Sequence, residues 1–513
     1  MNNKYTDKMI VCPYCFKEFM HDQVHFRLET VKNDGYNESD IEYETDPQRK
    51  EEIRTSMYFQ PKNDEKYMNF WKRFGQTTEL TTNNEATRFG CQVYQLPIVD
   101  PKSADAKRCM QMPTHGNGES NYFVYDGDGV VQAVIDIYGE RTHRRVCPHC
   151  HNPLPNTYGK YNVKFISVIG VSGAGKTVYI SQLLKNMSSY CHKLVRMTDH
   201  TMDDKVDNFI VQNAVKRGRP LPVATMSGLL SQPMTYNIVK NDREVETFVI
   251  YDIAGENCVN DNQMQNYGDF VIHSDGIVLL ISPNQIGFTE DNDQGNEADV
   301  SEGKEDAAPP KAVLNTIYNT IVSTTTGKCK KPIAVCISKS DIFADTLGGY
   351  EDNATDIVRI AKRDVEPVRD SAGSVQSLFN ATEYNVLQKR LTNLLDEDPI
   401  SGMLKSEYEL YNYFIFSAVG CGVKSEVLSD GRKVSCPIDD PHPIRIAEPL
   451  LWLFKRFGYI KSDVPIRLPA LRGDPNQKVP LYPTWFQRVI LKYPEWRNLT
   501  PEEKEALWYE ERC

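Results

Sequence analysis

A glycine-rich loop between a strand and a helix constrains this chain more than any other stretch of its 513 residues. Residues 161–169 (YNVKFISVI) are β-branched and aromatic, which predicts a buried strand. GVSGAGKT follows at 170–177, and the next residues, 177–190, have their apolar side chains at helical spacing. The glycines let the backbone wrap around phosphate groups, so that several N–H groups and the helix N-terminus point at them. We therefore predict that the chain binds a nucleoside triphosphate here.

The residues of this loop have predicted roles. Backbone N–H groups are expected to hold the phosphates, Lys176 to reach the β- and γ-phosphates, and the Thr177 hydroxyl to bind Mg²⁺. Lys176 is also a predicted catalytic residue, because it neutralises charge on the phosphates. The complete predicted phosphate-binding set is Gly170, Ser172, Gly173, Ala174, Gly175, Lys176, Thr177 and Val178.

A predicted hairpin follows, and its second strand ends in a short acidic and glycine-containing motif. Two strand-like runs, 234–240 and 244–251, are joined by Asn-Asp, and DIAGE comes next at 252–256. Asp252 at a strand end can hold Mg²⁺ through a water molecule. Gly255 has no side chain and can bring its N–H to a γ-phosphate. This D-x-x-G pattern favours a GTPase over a P-loop ATPase, which typically has two acidic residues at this point.

A threonine upstream of the hairpin completes the predicted switch. A GTPase of this kind needs a threonine whose hydroxyl joins the Mg²⁺ shell when the γ-phosphate is present. Thr225, at the end of RPLPVAT (219–225), lies at the expected place along the chain, and we expect it to bind Mg²⁺ and act in catalysis. The competing threonines are Thr198, Thr201 and Thr235.

Two further strand ends predict which base is bound. PIAVCI (332–337) runs into Ser-Lys-Ser-Asp, where Asp341 can accept hydrogen bonds from guanine N1–H and its exocyclic amine, while Lys339 covers the base. Adenine would leave that carboxylate unpaired. Ser338 is expected to tie this loop to the phosphate loop. The alternative interpretation is a solvated strand end.

The second of these strand ends is Tyr-Phe-Ile-Phe-Ser-Ala (413–418). Its Ser417-Ala418 pair matches the GTPase motif whose backbone N–H meets guanine O6. In open parallel sheets, ligands bind at the edge formed by the carboxyl ends of the strands. We therefore predict that Lys339, Asp341, Ser417 and Ala418 contact the base.

Two matched cysteine pairs predict a metal site in the N-terminal part. Cys12 and Cys15, and likewise Cys147 and Cys150, stand in C-P-x-C motifs, and residues 16–146 lie between the pairs. Two such turns complete a tetrahedral four-sulfur site, which is the usual closed geometry of structural zinc. One alternative is that one pair is a redox motif and the other a coincidence. Another is that a histidine replaces a cysteine ligand, and the candidates are His21, His25, His149 and His151.

Composition excludes several broad classes of protein. The formal net charge is −11, which argues against a general nucleic-acid or membrane-surface binder. No apolar run approaches the length of a membrane span, and the N-terminus lacks the apolar core of a signal peptide. We therefore expect a cytoplasmic protein, in which the 13 cysteines are not structural disulfides.

In this order, the motifs resemble a Ras-like P-loop GTPase of the translation-factor-related class. More narrowly, they resemble the bacterial double-GTPase family, second type, whose enlarged GTPase domain often follows a zinc-binding N-terminus. The resemblance spans about 160–458 and includes IAEPLLWLFKRFGYI (446–460) as a closing helix. It implies an α/β fold, with a mostly parallel sheet and helices on both faces, preceded by a zinc-ribbon-like module. It also implies protein partners, such as a second GTPase or an activating subunit, in a bacterial multi-component system.

Three departures from that family pattern limit the resemblance. Glu256 stands where Ras-like enzymes have a glutamine that orients the attacking water. As a predicted catalytic residue its carboxylate can still position water, but it repels the γ-phosphate, so we expect slow hydrolysis that a partner's arginine completes. The acidic stretch 288–308 is predicted to be disordered, as a linker or as a docking tail for a basic partner. An insertion at 345–410 has helical stretches whose function the sequence does not reveal.

The predicted organisation follows from these motifs. The zinc knuckles are 1–26 and 141–159, and they enclose a β-rich insertion, 27–140, with a hairpin at 121–137. The GTPase domain is 160–459, and 460–513 is a strap followed by a helix capped at Thr500. The predicted function is a GTP-binding switch with slow Mg²⁺-dependent hydrolysis. The alternatives are a pseudo-GTPase scaffold, which binds nucleotide without hydrolysing it, and a P-loop ATPase.

Overall fold

The computed structural model describes most of the chain. The described residues are 9–27, 38–50, 64–75, 98–103, 110–111, 124–125, 131–136, 141–155, 158–171, 173–190, 195–197, 205–222, 230, 232–240, 243–258, 261–286, 309–322, 327–348, 354–365, 368–369, 375–377, 379–429, 431–460, 478–480 and 508–510. Ser172, Thr225 and the acidic stretch 288–308 lie outside these residues, as do Thr198, Thr201 and Thr500.

The chain divides into two compact units. The first comprises Met1–Lys164, Arg196–Lys205 and Gly228–Val249, and the second comprises Phe165–Val195, Val206–Ser227 and Ile250–Cys513. Three short parts of the predicted GTPase domain, 160–164, 196–205 and 228–249, therefore group with the first unit.

The first unit contains short strands and helices. Its N-terminal strands are β1 (Met9–Val11), β2 (Glu18–Met20), β3 (His25–Arg27), β4 (Ile98–Val99), β5 (Met110–Gln111), β6 (Val124–Tyr125), β7 (Val131–Asp136), β8 (Arg141–Thr142) and β9 (Arg145–Val146). Strands β1 and β2 pair, β4-β3-β9 form a second sheet, and β5, β6 and β8 pair with β7. The antiparallel pairing of β6 with β7 confirms the predicted hairpin.

Helices also lie in the part that was predicted to be β-rich. They are α1 (Glu38–Tyr43) and α2 (Glu65–Lys72). Helix α2 begins after Asp64, whose carboxylate accepts a hydrogen bond from the Tyr67 N–H, as a helix N-cap does. Its buried face is aromatic, and the Trp71 ring lies 6.3 Å from that of Tyr14 in the first cysteine motif. The described insertion is therefore a mixture of helix and strand.

Among the described residues, the largest sheet has seven strands, in the order β11-β12-β13-β10-β14-β15-β18. The strands after β9 are β10 (Asn162–Gly170), β11 (Val195–Met197), β12 (Met234–Lys240), β13 (Arg243–Ala254), β14 (Gly276–Ile281), β15 (Ile333–Ile337), β16 (Val368–Arg369), β17 (Val375–Ser377), β18 (Tyr411–Ile415), β19 (Val423–Val427), β20 (Lys433–Pro437), β21 (Lys478–Pro480) and β22 (Trp508–Glu510). The pairs β10–β14, β14–β15 and β15–β18 are parallel, as expected for an α/β fold.

The four parallel strands end level with one another. Gly170 pairs with Leu280, Leu280 with Cys336, and Cys336 with Phe414. Every residue of β14, β15 and β18 is buried, so both faces of the sheet are covered at these strands. The loops that follow these strands therefore emerge together at one edge of the sheet.

Helices alternate with the parallel strands. The helices after α2 are α3 (Lys176–Tyr190), α4 (Lys205–Gln212), α5 (Asp261–Ile272), α6 (Pro310–Val322), α7 (Ser340–Gly348), α8 (Ala354–Ala361), α9 (Ala381–Leu394), α10 (Pro399–Glu407) and α11 (Glu448–Arg456). Helix α11 lies within 446–460, where a helix was expected. The Phe414 ring of β18 lies 5.1 Å from Tyr384 of α9 and 5.6 Å from Trp452 of α11, so both helices pack on this strand.

The C-terminal part differs from its predicted helix where it is described. Trp508–Glu510 is a strand that pairs in parallel with Lys478–Pro480. Tryptophan and tyrosine favour strands, in agreement with the strand at these three residues. Among the described residues, no helix combines the length and apolar character that crossing a bilayer requires.

Candidate functional site

The predicted phosphate loop lies between β10 and α3. Strand β10 ends at Gly170 and helix α3 begins at Lys176. Gly173 and Gly175 have φ angles of +76° and +73°, a left-handed conformation that glycine adopts without strain. The Val171 N–H donates to the carbonyl of Leu280 at 3.1 Å, which fixes the start of the loop to β14. The strand–loop–helix arrangement is therefore the one the motif requires.

A buried ion pair joins the phosphate loop to the end of β13. Lys176 Nζ donates to Asp252 Oδ1, and the two side chains are 7% and 1% exposed. Thr177, one residue further along α3, is also buried. The ammonium, the carboxylate and the hydroxyl predicted to handle phosphate and metal thus come from two neighbouring segments.

Gly255 packs directly against the phosphate loop. A Cβ atom at this position would lie 2.5 Å from the carbonyl oxygen of Gly170 and 3.0 Å from Val171 Cα. A side-chain Cβ essentially never comes within 2.5 Å of a backbone oxygen, so any residue other than glycine would force the backbone to shift. Gly255 opens the short 3-10 helix Gly255–Cys258, which contains the backbone of Glu256. The D-x-x-G motif therefore meets the phosphate loop through its glycine as well as through its aspartate.

The Ser-Lys-Ser-Asp loop follows β15 at the same edge. The N–H and hydroxyl of Ser338 both donate to the Ile281 carbonyl, at 3.0 and 3.2 Å. Ser338 thus ties the loop to the end of β14. Its expected tie to the phosphate loop is not seen among the described residues, which leave out Ser172. Lys339 has a left-handed φ of +57°. Asp341 lies in the first turn of α7, and its Oδ1 is buried with no hydrogen-bond partner among the described residues.

The predicted Ser-Ala motif lies beside that loop. The Ser340 N–H donates to the Phe416 carbonyl at 3.0 Å, so the residues that precede Asp341 and Ser417 are joined directly. The Ser417 N–H donates to the Ile444 carbonyl at 3.0 Å. The Phe416 ring also packs on that of Tyr179 in α3, with centroids 4.5 Å apart. Ring packing thus connects the phosphate-loop helix to the segment predicted to bind the base.

The four predicted zinc ligands form one cluster. Cys12, Cys15, Cys147 and Cys150 have sulfur atoms that all lie within 4.8 Å of one another. The Cys12–Cys150 and Cys15–Cys147 sulfur distances are 3.6 and 3.8 Å. A tetrahedron with Zn–S bonds of about 2.3 Å has edges of about 3.8 Å, so the sulfurs fit zinc closely.

The two cysteine motifs have the same backbone geometry. The N–H groups of Cys12 and Cys147 each donate to the carbonyl five residues later, at 3.0 Å in both. In each motif the residue after the second cysteine, Phe16 or His151, has a left-handed φ of +56° or +54°. The Tyr14 and His149 N–H groups donate to the first sulfur of their own motif, at 3.4 and 3.3 Å. These matched turns orient both pairs of sulfur atoms toward the centre of the four-cysteine cluster.

The surroundings of the cluster are consistent with bound metal. Burial raises the pKa of the Cys12 and Cys150 thiols, whereas hydrogen bonds, first from Cys12, lower the pKa of Cys15. A divalent cation offsets the cost of burying thiolates. Among the described residues, the one cluster of metal-ligating side chains contains these cysteines and no histidine.

The histidines near the cluster have other partners. His151 Nδ1 lies 2.7 Å from Asp64 Oδ1, and the other carboxylate oxygen of Asp64 accepts a hydrogen bond from Arg27, also at 2.7 Å. His21 Nε2 lies 3.0 Å from the Gly159 carbonyl. The alternative of a histidine ligand therefore has no support in the described geometry. The Arg27–Asp64–His151 group was not predicted, because its members are separated by long stretches of sequence.

Comparisons with known proteins give distant similarities. No protein-family model matches the chain. The putative ESX-1 scaffolding and assembly protein SaeC of Mycolicibacterium smegmatis is 22% identical over 335 residues, which are 61% of this chain and 80% of SaeC. An Era structure from Aquifex aeolicus, bound to GDP·AlF4−, is 12% identical with a TM-score of 0.20, and the match covers 50% of this chain and 52% of that one.

A second Era structure, in complex with MgGDPNP and a fragment of 16S ribosomal RNA, is 10% identical with a TM-score of 0.22. The match covers 60% of this chain and 59% of that one. The chain thus spans between half and three fifths of the two Era structures. Sequence identities and TM-scores this low do not assign a function to the chain.

Proposed function

We propose that this protein is a guanine-nucleotide-binding switch that hydrolyses GTP slowly in the presence of Mg²⁺. The observation that supports this most directly is the buried Oδ1 of Asp341, which has no hydrogen-bond partner among the described residues. A buried carboxylate oxygen without a partner is costly, and guanine offers two donors to such a group. The strand that leads to Asp341 is parallel to the one that leads into the phosphate loop, with β14 between them.

In this proposal the base is held by three neighbouring segments. Asp341 accepts hydrogen bonds from N1–H and the exocyclic amine, and the stem of Lys339 covers the face of the ring. The N–H of Ser417 is already donated to Ile444. The donor to guanine O6 is therefore the N–H of Ala418, the next residue of the loop.

The phosphates and the metal involve the residues around the Lys176–Asp252 ion pair. Lys176 and the amides of the loop neutralise the β- and γ-phosphates, and Thr177 and Asp252 hold Mg²⁺ with the hard oxygen ligands that this ion prefers. The bound ion supplies charge neutralisation at the phosphates. The existing ion pair supports a common location for the ammonium and the carboxylate.

The switch function rests on Gly255, Glu256 and Thr225. The close contact of Gly255 with Gly170 supports a γ-phosphate sensor, since any movement of the phosphate loop reaches Gly255. Thr225 is proposed as the second sensor. A carboxylate at Glu256 repels the γ-phosphate, which makes hydrolysis slow and leaves room for an arginine from a partner. The name of the distant relative, a scaffolding and assembly protein, favours a role among protein partners.

We further propose that Cys12, Cys15, Cys147 and Cys150 bind one structural zinc ion. The matched turns and the tetrahedral sulfur spacing support this. Four protein ligands leave no open position, so the ion stabilises the module and takes no part in hydrolysis.

Titration of the purified protein with GTP and with ATP, in Mg²⁺, tests the proposal. We expect GTP to bind at least about tenfold tighter, because adenine leaves the buried carboxylate unpaired. Asp341→Ala should remove that margin. Asp345→Ala, one turn further along the same helix, makes the same charge change and should keep it. Equal or tighter ATP binding by the wild-type protein would favour the P-loop ATPase instead.

Single-turnover phosphate release then separates a GTPase from a pseudo-GTPase scaffold. A slow burst of one phosphate per site, faster in Glu256→Gln, is the expected result, because the substitution removes the carboxylate's repulsion. The absence of any release in both proteins would favour the scaffold, which binds GTP without hydrolysing it.

A further inference from the structure

The loop that contains Ser417 is held by a returning segment of the chain, residues 438–444. Ser417 and Ile444 exchange two backbone hydrogen bonds, at 3.0 and 2.8 Å. Gly420 has a φ of +69°, and a Cβ there would lie 1.9 Å from the carbonyl oxygen of His442. The position of the loop therefore depends on where residues 438–444 run.

Arg445 comes directly after Ile444 and is buried without any exposed side-chain surface. Its Nε donates to Glu448 Oε2 at 2.8 Å, and a second guanidinium nitrogen donates to Glu448 Oε1. The third nitrogen donates to Glu383 Oε2 at 3.3 Å and to the Ile360 carbonyl at 3.4 Å. The planar guanidinium group of Arg445 thus holds this residue against three helices, α8, α9 and α11.

The backbone of Arg445 is held as well. Its N–H donates to Asp364 Oδ1 at 2.8 Å, and the same oxygen accepts the Val365 N–H at 2.9 Å. Arg445 has a left-handed φ of +55°, which an arginine adopts only when its surroundings impose it. Asp364 and Glu383 both belong to the insertion 345–410. The insertion therefore supplies two carboxylates that fix the residue next to Ile444.

We infer that Arg445, together with Asp364 and Glu383 of the insertion, positions the Ser417–Ala418 loop for contact with guanine. The inference rests on the proposed function and assigns a role to the insertion 345–410. Groups that recognise a ligand must be held within about 0.5 Å of their working geometry. Ile444 transmits the position of Arg445 to Ser417 through two hydrogen bonds, so loosening Arg445 displaces the loop. Arg445 itself is a positioning residue and touches no nucleotide.

A purely structural role for the ion pairs is the competing explanation, and tripolyphosphate separates the two. This probe engages the phosphate loop and has no base, so displacement of the Ser417–Ala418 loop leaves its binding unchanged. Dissociation constants for GTP and for tripolyphosphate should be measured for two variants, Arg445→Lys and Asp364→Ala. Arg445→Lys keeps the positive charge but loses the several N–H donors of the planar guanidinium group. Asp364→Asn keeps the acceptor oxygen and serves as the rescue. Lys405→Gln removes another ion pair of the insertion, with Asp396, and is the matched control.

Arg445→Lys and Asp364→Ala are expected to weaken GTP binding about tenfold, the equivalent of one hydrogen bond, and to change tripolyphosphate binding less than about twofold. Asp364→Asn and Lys405→Gln should match the wild type. If GTP and tripolyphosphate weaken together, or neither weakens, the positioning role is overturned while the proposed function stands. If the wild-type protein binds GTP no tighter than tripolyphosphate, the proposed function fails and this inference fails with it.

Discussion

Replacing Asp341 by asparagine is expected to change the preferred base from guanine to xanthine. Guanine presents two donors on the edge that faces Asp341, N1–H and the exocyclic amine, and a carboxylate accepts from both. An amide side chain presents one acceptor and one donor. Xanthine has N1–H and a carbonyl oxygen at those two places, so the amide is complementary to it.

The magnitude follows from the buried oxygen of this carboxylate. Asp341 Oδ1 is buried and has no partner among the described residues, so its hydrogen bonds to the base are not shared with the protein. A hydrogen bond to a charged group contributes about 1.5–3 kcal/mol, and Asp341→Asn removes one while setting a donor against the guanine amine. The combined loss of about 2–4 kcal/mol corresponds to GTP binding that is roughly 30- to 1000-fold weaker.

Competition of unlabelled GTP, XTP and ATP against a fluorescent guanine nucleotide, in Mg²⁺, measures these affinities for the wild type. For Asp341→Asn the fluorescent probe is a xanthine nucleotide. Asp345→Asn is the matched control, since it makes the same chemical change one helical turn away. Unaltered GTP affinity in Asp341→Asn would refute the reasoning, because a carboxylate that contacts guanine cannot be replaced without loss. The Ser-Lys-Ser-Asp stretch would then be a solvated strand end.

Three further predictions concern the metal cluster, the switch glycine and the half-buried His25. Cys147→Ser should lose zinc, measured by elemental analysis after dialysis, while Cys329→Ser, outside the cluster, should retain it. Gly255→Ala should weaken GTP and GDP binding by about tenfold or more, because the new Cβ would collide with the carbonyl oxygen of Gly170 and such overpacking costs about 1–3 kcal/mol. Unchanged affinities in a titration would contradict the contact. Burial lowers the pKa of His25 to about 4, below the ordinary 6.5. Between pH 4 and pH 6.5 the unfolded chain therefore binds more protons than the folded protein does. The free energy of unfolding should fall as the pH drops from about 6.5 to about 4. Denaturant unfolding should show a smaller decrease in His25→Gln, and an equal decrease would contradict the assignment.

The sequence predicted those parts of the molecule whose geometry is local. GVSGAGKT contains its own turn residues and its own helix start, so β10, the loop and α3 could be placed from eight residues and their flanks. The paired C-P-x-C motifs likewise specify their turns, and the four sulfurs meet as expected. The acceptor of Ser338 was missed because it depends on which strand end lies nearest. The strand at Trp508–Glu510 was missed because its pairing partner is 30 residues away in the chain, at Lys478–Pro480.

The insertion 345–410 illustrates why the base site was predictable and its supports were not. Strands β15 and β18 are adjacent and parallel although the insertion separates them in sequence. The segments that contain Asp341 and Ser417 therefore lie side by side, regardless of the sequence of the insertion. A sheet of this kind tolerates long insertions between strand ends, since the ligand edge is set by strand order alone. The carboxylates of Asp364 and Glu383 nevertheless return to the sheet edge and hold Arg445. No local sequence pattern predicts such contacts, because a single aspartate or glutamate in this stretch is most simply interpreted as a solvent-exposed charge. The strand ends therefore define where the base binds, and the insertion contributes to how firmly the loop that meets it is held.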